Sequence, residues 1–301
     1  MRVLILGASG FLGRPVHSLL AAQPDLQVMA GPRSREVDLA TAPAAVWDDL
    51  LDAARPGVVV NCAGRIGGSP DELMQANAGL VRRLLETARN RQPAPWLIHL
   101  GSAAEYGAHP GQVGEDTPPR PESPYGQSKL AGSLALLEAR AGLPVSVLRV
   151  GNPVGAGQSP QTLLGRAAAQ FRTALERQAP QVEFGDLSAA RDFIDARDVA
   201  RAVLAALRCG PASTDGVINV GRGEAVSARS LVTALARICR YGGLIHETQG
   251  GSARSGAVPW QQADITRLRG LGWTPAYSLQ DALRAVWGGP AQRPTGRQAV
   301  A

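Results

Sequence analysis

Lysine is almost absent from this 301-residue chain: of 31 basic side chains, Lys129 alone is lysine and the rest are arginine. Aromatic residues make up 4%, which leaves little surface for stacking nucleobases. The arginines are scattered among Asp and Glu rather than gathered in a run, so a net charge of +6 does not point to a nucleic-acid partner. Three cysteines (Cys62, Cys209, Cys239) are odd in number, far apart and not in CxxC pairs. That pattern argues against a disulfide framework and a zinc site; a reducing cytoplasm and no bound metal are expected. The apolar run Val3 to Leu6 is too short for a signal peptide, and no stretch reaches the length of a membrane span. Residues 289–301 lack apolar periodicity and are expected to be a disordered tail.

What the chain does have is glycine in an ordered place. Arg2-Val-Leu-Ile-Leu6 reads as a buried strand, and Gly7-Ala-Ser9-Gly10-Phe11-Leu12-Gly13 follows directly, leading into helical pattern from about residue 12 to 22. A strand, a glycine turn and a helix N-terminus present free backbone N–H groups and a positive dipole end to a pyrophosphate. In this role Gly7 permits the tight turn, Gly10 lets the phosphate approach, and Gly13 lets the helix pack close to the sheet.

A second strand spans residues 26–30. Units that bind NAD usually carry an acid at its end for the adenosine ribose. This chain has Gly31-Pro-Arg33-Ser-Arg35 there, which suits a 2′-phosphate and favours NADP(H), with NAD(H) still possible. Asp38 and Leu39 fall where an adenine contact is expected. A helix over 44–54 leads to strand Val58–Asn61 and the small residues Cys62, Ala63 and Gly64, which allow a cofactor close to a strand end. One long helix is expected over 71–91, with Asn77 in its middle. A fourth strand over 96–100 leads to Ser102, at the carboxyl end where open α/β sheets place ligands.

Ser123-Pro-Tyr125-Gly-Gln-Ser-Lys129 opens the next helix: Ser123 is a good N-cap and Pro124 fits the first helical position. Tyr125 and Lys129 then share a face, four residues and one turn apart. Strand and helix alternate to residue 149, giving a doubly wound parallel sheet of Rossmann type. From Gly151 the pattern changes. Residues 1–151 and 192–221 are expected to form the dinucleotide domain, and 152–191 with 222–288 a smaller, interleaved substrate domain.

GASGFLG at 7–13, NCAG at 61–64, SAAEYG at 102–107, SPYGQSK at 123–129, LRVGNPVG at 148–155, RDFIDARDVARA at 191–202, INVGRGE at 218–224 and LGWTP at 271–275 occur in an order and spacing that resembles the extended short-chain dehydrogenase/reductase family, in its nucleotide-sugar epimerase and reductase branch. The resemblance covers nearly the whole chain. It implies a Ser102–Tyr125–Lys129 catalytic set, in which the tyrosine exchanges a proton with the substrate oxygen as hydride moves at the nicotinamide. It also implies Asn77 near the cofactor, Asn152 facing the substrate diphosphate, and Arg191 and Arg254 clamping it; a homodimer is expected on the same ground. The residue types suit those tasks. Lowering a tyrosine from near 10 toward neutrality, by ~3 units, requires roughly 4 kcal/mol of differential stabilisation, much of which a nearby ammonium supplies.

Departures from the family narrow the reaction. The 4,6-dehydratase branch carries an Asp-Glu pair after the Ser/Thr; here those positions are Ala103 and Ala104. The GDP-fucose-synthase branch uses a Cys and a His for epimerisation; Ala104 stands at the cysteine position and 155–164 holds no histidine. The expected activity is therefore NADPH-dependent reduction of the 4-keto group of a nucleoside-diphosphate (6-deoxy)sugar. A 4-epimerase with tightly bound NAD is the alternative, and a reductase of a non-sugar carbonyl a second one.

Overall fold

The computed structural model describes residues 1–248 and 258–288. The chain runs β1 (Arg2–Leu6), α1 (Gly13–Ala21), β2 (Gln27–Ala30), α2 (Ala44–Ala54), β3 (Val58–Asn61), α3 (Pro70–Met74), a π-helical turn (Gln75–Gly79), α4 (Leu80–Ala88), β4 (Trp96–Ser102) and β5 (Gln112–Val113). It continues through α5 (Pro124–Ala139), β6 (Val145–Val150), β7 (Asn152–Val154), α6 (Leu163–Glu176), β8 (Gln181–Phe184), β9 (Ala190–Asp195) and α7 (Ala196–Cys209). The last elements are β10 (Gly216–Val220), β11 (Ala225–Ser227), α8 (Ala228–Ile238), β12 (Leu244–Glu247), β13 (Trp260–Ala263), α9 (Thr266–Gly270) and α10 (Leu279–Gly288).

Six parallel strands form the main sheet in the order β10-β6-β4-β3-β1-β2. Near-continuous apolar strands such as Val58-Val-Val are what a sheet covered on both faces requires. Along each strand, alternate residues serve different cores. Val3, Ile5, Val58, Val60, Ile98 and Leu148 pack against α1 and α7, whereas Leu4, Leu6, Val59, Leu97 and Val147 pack against α2, α4 and α5. The strand order reverses between β1 and β3, so their carboxyl ends open a crevice, the place where such sheets bind ligands.

The helix expected over 71–91 is continuous in direction but not in winding: it passes through the π turn at Gln75–Gly79, centred on Asn77. Sustained apolar spacing hides the break in the sequence. Its cause is tertiary, because Asn77 is 2% exposed and tied to two other segments.

A second sheet, β11-β9-β13-β5 with β7 also on β9, and a β12–β8 pair build the rest. A third apolar cluster, which includes Phe171, Phe184, Leu235 and Leu283, lies under α6, α8 and α10. Among the described residues no helix is long and apolar enough to cross a membrane.

Candidate active site

The glycine turn fits a dinucleotide by its shape. Gly7 has φ +72°, and a Cβ there would lie 2.7 Å from the Ala63 backbone, so the turn after β1 rests directly on the segment leaving β3. A Cβ on Gly13 would come within 2.0 Å of the Gly7 carbonyl oxygen. The close packing of α1 on the turn thus excludes any side chain. Gly10 N donates to Gly7 O at 2.9 Å and Arg14 Nε to Ser9 O at 2.8 Å, which fixes the arc through Ser9, Phe11 and Leu12. Arg33 and Arg35 stand exposed after β2, and neither forms an ion pair among the described residues. Asp38 is exposed and closes its own turn by accepting from Ala40 N, whereas Leu39 is buried beside Trp47, whose indole N–H donates to Leu39 O.

Ser123 caps α5, its Oγ accepting from Gly126 N at 3.0 Å, with Pro124 in the first turn. Gly126 is where the helix meets the serine turn: a Cβ there would lie 2.5 Å from Ala104 O. This close approach brings the start of α5, and Tyr125 on it, against the segment that follows Ser102. One turn on, Lys129 is 5% exposed, and its Nζ donates to Leu100 O at 2.6 Å. Gly64 lies opposite; a Cβ on it would be 3.9 Å from Lys129 Nζ and 2.9 Å from Asn77 Oδ1. Asn77 stitches these pieces together. It accepts from Arg65 N, donates to Arg65 O and donates to Ser128 Oγ at 2.9 Å, and Ser128 in turn donates to the Tyr125 carbonyl at 2.8 Å.

Ser102 ends β4. Its Oγ accepts from Ala104 N at 3.1 Å, which leaves the hydroxyl proton for another acceptor, and its backbone N–H donates to Glu105 Oε1 at 2.8 Å. Glu105 is fully buried and forms an ion pair at 2.8 Å with Arg149, itself stacked over the Tyr106 ring. Ser133 on α5 donates to the same carboxylate at 3.0 Å. The serine turn is therefore held by a buried, fully engaged network rather than by the loop alone.

Burial sets the electrostatics. It lowers Lys129 from 10.5 to about 8, against the opposing pull of Glu105 and Cys62. It pushes the Cys62 thiol up to about 12, and it holds His99 well below 6.5, with the nearby lysine acting in the same direction.

In the second sheet, β13 runs beside β9 with Gln261 opposite Arg191, so the two side chains share a sheet face. Gln261 Nε2 donates to Ala103 O at 2.9 Å, which turns that face toward the serine turn. Arg191 is partly buried, with its pKa lowered by that burial. Asn152 Nδ2 donates to Asp192 O at 3.3 Å on the adjoining strand. Arg254 and residues 289–301 lie outside the described residues. Asn61, His99, Glu105, Ser128 and Gln261 belong to this neighbourhood and were not expected from the sequence. Asn61 and His99 do leave a signal, as polar residues inside otherwise apolar strands.

Comparison with known proteins gives the family. Residues 3–221 match the model of the NAD dependent epimerase/dehydratase family. The chain is 37% identical, over 95% of its length and 94% of the relative's, to a dTDP-6-deoxy-L-talose 4-dehydrogenase (NAD(P)(+)) from Kitasatospora kifunensis. It is 29% identical, over 95% of both chains, to a GDP-6-deoxy-D-mannose reductase from Pseudomonas aeruginosa. Among solved structures it superposes on RMD from Pseudomonas aeruginosa complexed with NADPH (TM-score 0.84, 26% identity, 96% and 98% of the two chains). It superposes also on a Thermus thermophilus UDP-glucose 4-epimerase in complex with NAD (TM-score 0.81, 26% identity, 96% and 98% of the chains). With its parallel sheet, its glycine turn and a family match over most of its length, this chain belongs to the NAD-dependent epimerase/dehydratase family of extended short-chain dehydrogenase/reductase enzymes.

Proposed function

We propose that the chain reduces the 4-keto group of a nucleoside-diphosphate (6-deoxy)sugar, with NADPH preferred over NADH. The observation that carries this reading is the convergence of Tyr125, Lys129 and the Ser102 turn at the sheet's carboxyl edge, with Ala103 and Ala104 where an elimination acid and base would stand. Both relatives named above for 4-dehydrogenase or reductase activity support a hydride transfer with net turnover.

The glycine turn would hold the pyrophosphate, Arg33 and Arg35 a 2′-phosphate, and Cys62, Ala63, Gly64 and Asn77 the nicotinamide end. When bound, the reduced nicotinamide supplies hydride to the carbonyl carbon. Tyr125 gives its phenolic proton to the developing alkoxide, and the Ser102 hydroxyl, keeping its own proton, donates a hydrogen bond to the same oxygen. Lys129 in its ammonium form favours the tyrosinate that remains. Asn152 and Arg191, on the joined strands β7 and β9, would meet the diphosphate, and 152–191 with 222–288 would serve as the substrate lobe. Met74 on α3 and Leu134 on α5 are exposed apolar residues on helices that pack together, and a homodimer through these helices belongs to the same reading.

Stoichiometric NADPH oxidation with a nucleoside-diphosphate 4-keto-6-deoxysugar tests the reading. The likeness to a UDP-glucose 4-epimerase supports a second one, 4-epimerisation with retained NAD. Interconversion of 4-hydroxy epimers without net cofactor oxidation would decide for it.

A further inference from the structure

The sole lysine has a second polar neighbour that the proposed reaction does not use. His99 on β4 is 1% exposed, and its ring spans two partners: Nδ1 lies 3.1 Å from Asn61 Nδ2, and Nε2 lies 3.4 Å from Lys129 Nζ. The direction of the Asn61 amide is fixed independently. Its Oδ1 accepts from the backbone N–H of Ala63 at 3.0 Å, a donor that cannot reverse. The NH₂ end must then face His99, so His99 Nδ1 is an acceptor and the ring's proton sits on Nε2. Turning Asn61 over would oppose two donors at Ala63 and leave its partly buried N–H unpaired.

An Nε2–H aimed at Lys129 has an uneven effect on the lysine's two states. A neutral amine accepts that hydrogen bond through its lone pair while still donating to Leu100 O. An ammonium has no lone pair, so one of its N–H groups opposes the imidazole N–H where both side chains are buried. We propose that His99 is a positioning residue for Lys129: locked by Asn61 as the Nε2–H tautomer, it favours the amine in the resting site. The ammonium then forms when the nitrogen turns toward an acceptor in the cleft. The lowered pKa of Lys129 is consistent with this but follows chiefly from burial. The other titratable groups bearing on Lys129 are Cys62 after β3, Glu105 after β4 and Tyr125 one turn back on α5. Glu105 is already engaged by Arg149, Ser133 and Ser102 N, and so is not free to turn toward the lysine.

The proposal rests on reading Lys129 as part of the catalytic set, but its test needs no substrate. Four histidines and one lysine keep the spectra of the full chain sparse. Long-range proton–nitrogen correlation is expected to show His99, identified by its loss in His99→Gln, as a neutral ring protonated at Nε2 from pH 6 to 10. A ring protonated at Nδ1, or one that becomes doubly protonated in that range, overturns the proposal. The single ε-carbon resonance of labelled Lys129 reports its titration. In His99→Gln, whose amide oxygen can accept from the ammonium, that titration is expected to rise by about one pH unit, a tenfold shift in the protonation equilibrium. The high-pH limb of kcat/KM, where the ammonium is lost, should move with it. An unmoved lysine overturns the proposal. Should His99→Gln not fold, Asn61→Asp keeps the Ala63 contact and is expected to convert the ring to Nδ1–H and raise the lysine; a ring that stays Nε2–H there also refutes the argument. If the tautomer and titration behave as stated but no nucleotide sugar is turned over, it is the functional reading that fails.

Discussion

Lys129→Met removes a buried cation while keeping most of the side-chain volume, and its effect on stability should depend on pH in a calculable way. The unfolded chain binds the lysine proton up to 10.5, whereas the folded chain holds it only to about 8. Between those values the unfolded state binds more protons, so the lysine's contribution makes the fold more stable as pH rises. Integrating the two titrations from pH 7 to pH 9 gives a gain of ~1.3 kcal/mol, or roughly 3 °C in Tm for a chain of this size. Cys62, whose thiol is pushed up to about 12, acts in the opposite sense above its ordinary range. That contribution is largely common to both proteins and cancels in the difference. Urea denaturation of wild type and Lys129→Met at pH 7, 8 and 9 therefore tests the argument. The wild type should gain on the variant by about that amount, whatever constant offset follows from leaving Leu100 O unpaired. A difference that stays flat or falls across this range would show that the lysine is not held in a desolvated site.

Tyr125→Phe is expected to lower kcat by ~10²–10⁴ with little change in cofactor affinity, measured by steady-state kinetics and NADPH fluorescence titration. Arg33→Ser with Arg35→Ser should raise the KM for NADPH at least about tenfold, as expected for lost charge-assisted contacts, and leave that for NADH nearly unchanged. Glu105→Gln breaks a buried ion pair and should cost about 3–5 kcal/mol in chemical denaturation, because Arg149 keeps its charge without a partner. Arg191→Ala should raise the KM for the sugar nucleotide and spare that for the cofactor.

The parts of the site that were legible in the sequence are those specified by neighbours in the chain. Gly7 to Gly13 form one local turn, and the cap at Ser123 with Pro124 sets where α5 starts and hence that Tyr125 and Lys129 share a face. What stayed hidden depends on partners far along the chain. The π turn at Asn77 arises from Ser128, 51 residues later, while the flanking apolar pattern reads as an unbroken helix. His99 lies 38 residues from Asn61 and 30 from Lys129, so only the folded sheet and helix reveal that it bridges them. Glu105 reads as a surface charge until Arg149 arrives on a neighbouring strand to neutralise it.

Gln261 carries a consequence for the order of assembly. Its hydrogen bond to Ala103 O joins residues 158 positions apart, and β13 must pair with β9 before that amide can reach the turn. Local elements such as the glycine turn and α5 can form early, whereas a contact of this span closes late because a long loop must be ordered first. On a ribosome, the serine turn could be held by Glu105, Arg149 and Ser133 early, but its hydrogen bond at Ala103 O would wait until β13 had emerged and docked. A chain ending before residue 260 would thus carry Ser102, Tyr125 and Lys129 and yet lack the bond that ties the serine turn to the second sheet.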